Sequence, residues 1–181
     1  MPPYWTLAFA SVAFSAAMGG TYHGFSQVMD QNILQWVWKV TVLAIGIGSM
    51  GMVAGSATAV TTGLSRKLLI VIAASGLVLY AWWMLDQDDF IYVIADTGFA
   101  MALVAALHAG STMRVHDRAS CWMLGGVGVS VSAAGVQASG FDLHLNFNHN
   151  DLYHVIQIAA MPLFYVGARA LRDRVSPEKG S

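Results

Sequence analysis

Six stretches of roughly 18 to 25 residues, mostly apolar and nearly free of charge, follow one another along this chain of 181 residues. About 20 such residues wound as an α-helix cross the hydrocarbon core of a bilayer. Lipid offers no partner to backbone polar groups, so each segment must satisfy its own as a helix. The expected fold class is therefore all-α: a polytopic integral membrane protein forming one domain over 1–181. Its six transmembrane helices are expected at about 5–23, 34–58, 68–85, 90–108, 119–139 and 152–171. Only 10% of the residues are charged, where a soluble domain carries roughly 25%, and 56% are hydrophobic, so too little polar surface exists to coat a water-soluble globule. No Lys or Arg precedes the first span, which argues against a cleaved signal peptide.

Basic residues orient such a bundle, because loops rich in Lys and Arg stay cytoplasmic. Arg66 and Lys67 fall between spans two and three, Arg114 and Arg118 between four and five, and Arg169, Arg172, Arg174 and Lys179 at or after the end of six. All these points share one side. Asp30, Asp86, Asp88, Asp89, Asp142 and Asp151 share the other, so both termini are expected in the cytoplasm. Short loops make a bacterial inner (plasma) membrane the default location. A formal charge of −1 offers no basic patch for nucleic acid, which is dropped as a partner. The single cysteine, Cys121, excludes an internal disulfide and reads as a small buried residue.

Small residues let membrane helices approach closely. Gly46, Gly48, Gly51 and Gly55 mark span two, and Gly125, Gly126 and Gly128 mark span five. Gly51 and Gly55 form a GxxxG, read as packing within the bundle in preference to an oligomer interface. Trp5, Trp36, Trp38, Trp82, Trp83 and Tyr92 lie near span ends and read as headgroup-level anchors.

The polar residues on the outer side suggest chemistry. His23 ends span one, Asp30 precedes span two, and FDLHLNFNHNDLYH leads into span six, so His23, His144, His149 and His154 share a face with Asp30, Asp142 and Asp151. Imidazoles beside carboxylates are what a zinc site with an open position uses. Asn150 and Asp151 lie four and three residues before His154, on one helical face with it, although either is also suited to cap span six. His108 and His116 sit at the cytoplasmic end among charged residues and read as ordinary helix-end and loop residues. Within the bilayer, Lys39 and Asp96 lie about 8 and 9 Å from the outer ends of their spans, a match that suggests an ion pair, a carboxylate supporting a metal-bound His or a proton path, with Lys39 snorkelling outward as the alternative.

Two stretches carry a resemblance. GTYHGFSQVMDQNILQW, from Gly20 to Trp36, and NDLYHVIQ, from Asn150 to Gln157, resemble the helix-end segments of alkaline ceramidases and the related progestin and adiponectin receptors. The stretches also fall at corresponding points of the topology. That family has seven helices, and the first His of its HxxxH pair is Asn150 here. The resemblance implies zinc held by His23 and His154 and Asp30 as catalytic acid or base; it leaves the third ligand open, with His149 first in line and Asp151 behind it. It implies a membrane hydrolase acting on an amide or ester of a lipid. The rival expectations are a small transporter or pH-sensing protein centred on Lys39 and Asp96, and a haem protein using His from two helices.

Overall fold

The computed structural model describes residues 1–144 and 147–171, with the side chain of Val115 set aside. Arg172, Arg174 and Lys179, on which part of the orientation rests, lie outside the described residues. Six helices follow in order: α1 (Pro3–Phe25), α2 (Gln31–Val60), α3 (Gly63–Asp86), α4 (Phe90–Val115), α5 (Arg118–Ser139) and α6 (His149–Ala170). Each expected span corresponds to one of them. Four are long and apolar enough to cross a membrane: α2, α3, α4 up to Arg114, and α5. The other two, α1 and α6, are 23 and 22 residues long, and α6 opens on the polar HNDLYH.

The chain divides into two compact units, residues 2–103 and 104–171, with the boundary inside α4. In the first, α2 packs against both α1 and α3. The glycines of α2 explain the closeness. A Cβ on Gly55 would stand 2.5 Å from Trp5 Cδ1, and one on Gly51 would stand 2.9 Å from the Tyr4 carbonyl oxygen, so α1 occupies the GxxxG face. Trp5, expected as a surface anchor, is only 1% exposed because its ring fills the space those glycines leave. On the opposite contact, Gly46 makes room for the Tyr80 ring, whose hydroxyl donates to the Val42 carbonyl at 3.1 Å. Val42, Tyr80, Met84 and Val93 form the core there, with Trp38, Ile45 and Tyr92 against it.

In the second unit α5 packs on α6. Phe164 lies over Gly126 and Met123 over Gly167, so small and large residues alternate across the contact. Polar links join the same helices: Ser130 donates to Gln157 at 3.0 Å and Gln137 to Asn150 at 3.3 Å. Interhelical bonds of this kind hold where apolar surface gives no drive to associate. Pro162 lies within α6, yet the helix runs on to Ala170. Cys121 is exposed, contrary to the expected burial, because it faces away from the α5 positions that are buried, Ala119, Ser120 and Met123.

Candidate functional site

The loop before α6 is organised around two side chains. Asn148 caps the helix, its Oδ1 accepting from the backbone N–H groups of Asn150 and Asp151 at 2.9 and 3.2 Å. Asp151 returns the bond, accepting from the Asn148 N–H at 3.0 Å, which completes a capping box. The cap is thus Asn148, two residues earlier than the first of the two expected capping residues. Asn150 is turned to α5 through Gln137, and Asp151 is spent on the helix start, so neither presents itself first as a ligand.

His149, the first residue of α6, is held by Asp142. One carboxylate oxygen, Oδ1, accepts from the His149 backbone N–H at 2.7 Å and from ring Nδ1 at 2.8 Å. These two bonds hold the Asp142 carboxyl below its usual range. An ionised carboxylate accepting at Nδ1 assigns the hydrogen to that nitrogen and leaves Nε2 for a metal or a proton. His154 follows on α6, exposed, with the Tyr153 ring edge-on at 5.0 Å. His144 closes a tight backbone exchange with Phe147.

In the first unit, His23 lies exposed in the last turn of α1 with Tyr22 edge-on at 5.2 Å. Asp30 caps α2, accepting from the Asn32 N–H at 2.8 Å. Among the described residues, no group of three or more His, Cys, Asp or Glu side chains is close enough to hold a metal ion.

The ion pair expected between Lys39 and Asp96 does not form. The Lys39 ammonium reaches past it to the end of α3, donating to the Met84 and Gln87 carbonyls at 2.7 and 2.8 Å and pairing with Asp88 at 2.8 Å. The cause is the helix end, where free carbonyls and the negative pole of the dipole attract a cation on a flexible stem. Asp96 keeps a buried oxygen, Oδ2, with no hydrogen-bond partner.

A further polar chain escaped the sequence reading. His108 is fully buried inside α4, which runs a turn and more beyond its expected end. Its Nδ1 lies 2.8 Å from Ser120 Oγ, which donates to Asp117 Oδ2 at 2.8 Å, while Asp117 also caps α5. Ser120 has one hydrogen and gives it to Asp117, so His108 Nδ1–H is the donor to Ser120. The serine lies between the imidazole and the carboxylate, which ties α4 to α5 and does not activate the hydroxyl as a nucleophile, since the imidazole donates to the oxygen it would have to deprotonate. An Asp just before the span, a residue type suited to an N-cap, was the available signal.

The molecule so defined is an all-helical protein with four helices fit to cross a membrane. It belongs to DUF6962, a family of unknown function whose model matches residues 1–173. No curated protein and no solved structure matches the chain.

Proposed function

We propose that this chain is a multi-pass membrane protein of six spans, both termini cytoplasmic, that acts as a metal-dependent hydrolase on an amide or ester of a lipid. The observation that carries the reading is the Asp142–His149 pair, because imidazoles that bind metal ordinarily donate their other ring N–H to a carboxylate. Nitrogen and oxygen donors of this kind suit zinc. His149 leads as ligand through its bond to Asp142, and the family resemblance names His23 and His154. Zinc held there would supply Lewis acidity and lower the pKa of a water to about 7.

The protein's own groups do the rest. Asp142 keeps His149 in one tautomer and ring orientation, and the capping box fixes where α6 begins. Asp30 spends Oδ1 on its cap and retains Oδ2 to carry a proton. The test is elemental analysis of detergent-purified wild type beside His23→Ala, His149→Ala and His154→Ala. About one zinc per chain, reduced in each variant, supports the reading. A wild type free of metal after mild purification, or variants that keep full metal content, would overturn it.

A further inference from the structure

A different part of the first unit carries its own inference. Leu79, Tyr80, Trp82 and Trp83 of α3 and Tyr92 and Asp96 of α4 line one shallow groove. The Trp83 and Tyr92 rings meet edge to face at 5.6 Å, and Tyr80 is pinned by its bond to the Val42 carbonyl. Asp96 is the acidic member. Its Oδ2 and the Ser49 hydroxyl of α2 are both buried without a hydrogen-bond partner.

A carboxylate at membrane depth with no cation partner costs several kcal/mol, so a counter-charge or a proton must answer it. The first unit has three basic side chains, Lys39, Arg66 and Lys67. Lys39 is committed to Met84, Gln87 and Asp88, and the other two stand in the first turn of α3, about 20 Å along the helix from Tyr80. No described cation of this unit serves Asp96. A proton alone would need no aromatic wall, whereas four electron-rich rings beside one carboxylate are the arrangement that recognises ammonium groups.

Depth narrows the ligand further. Asp96 lies six residues into α4, about 9 Å from its start, and Leu79 and Trp82 are 64% and 66% exposed at the groove's margin. A cation reaching that level must be carried by an apolar body. We propose that this groove binds an amphiphilic organic ammonium, its head against Asp96 and the rings of Tyr80, Trp83 and Tyr92, and its chain along Leu79 and Trp82.

The experiment titrates the full chain in dodecyl maltoside with hexyltrimethylammonium, read by tryptophan fluorescence and calorimetry. Tetramethylammonium and hexanol serve as the head-only and chain-only probes. Expected are saturable binding of the alkylammonium, weaker binding of tetramethylammonium, none of hexanol, and a loss of at least about tenfold in Asp96→Asn. Trp83→Leu, at a half-exposed position where folding is least at risk, should also weaken binding. Undiminished binding in both variants, no saturation in wild type, or equal binding of hexanol would overturn the proposal. Equal binding of tetramethylammonium would overturn the assignment to an amphiphile. None of these outcomes depends on a metal being present.

Discussion

Replacing Gly55 with Ala tests how α1 and α2 meet. In an open helical position the change stabilises by about 1 kcal/mol, since Gly is the poorer helix former. Here the new methyl carbon would stand 2.5 Å from Trp5 Cδ1 and 2.7 Å from Nε1, against contacts of about 3.5 to 4 Å between carbons at rest. The ring has nowhere to go, being 1% exposed, so α1 must move away along the whole contact. Overpacking of this kind costs about 1 to 3 kcal/mol, which offsets or exceeds the propensity gain and leaves a net loss of up to about 2 kcal/mol. Gly76→Ala is the internal control, because no atom lies within 4 Å of its built Cβ and the propensity gain stands alone. The assay is unfolding in detergent followed by circular dichroism, with Trp5→Ala and the Trp5→Ala/Gly55→Ala double variant completing a cycle. The pair should couple by about 1 kcal/mol or more, Gly55→Ala being harmless once the ring is gone. A Gly55→Ala protein as stable as Gly76→Ala, or costs that simply add, would refute the packing argument.

Three further predictions rest on separate contacts. Lys39→Met should destabilise by about 1 to 3 kcal/mol, since it strips two α3 carbonyls of their donor, whereas Asp88→Asn, at an exposed partner, should cost about 0 to 1 kcal/mol; the two melting temperatures decide it. Asp142→Asn should weaken metal binding by about 10- to 100-fold in a competition with a chelator, and unchanged affinity would remove Asp142 from the site. The same carboxyl is held below its usual range, so its bond to the His149 amide is in place above the unfolded value near about 3.9 and is lost only as pH falls through the lowered folded one. Amide exchange at His149 should therefore stay slow from neutral pH down through 4, with about 4 as the point where an ordinary carboxyl would already have begun to let go.

The candidate site was legible in kind but only partly in arrangement. FDLHLNFNHNDLYH showed a concentration of imidazole and carboxylate, His149 among them. That Asp142, seven residues back, would be its partner depends on how the loop folds over the helix start, and no periodicity records it. Lys39 and Asp96 show the opposite failure: equal depth suggested a pair, but depth says nothing of azimuth, and the open carbonyls at the end of α3 were the better partner.

Sequence alone determined the helices, four of them apolar segments of membrane length with one way to satisfy their backbone, where nearly any apolar order will do. It also determined the glycine face of α2, since only close helix approach makes such a row useful. Tertiary structure decided which residue fills each gap and which polar groups meet. It buried Trp5 against Gly55, sent Lys39 to Asp88, enclosed His108 with Ser120, and left Asp96 among aromatic rings. Those pairings follow from rotation and translation of whole helices, which are set by the sum of many contacts and by no short stretch of the chain.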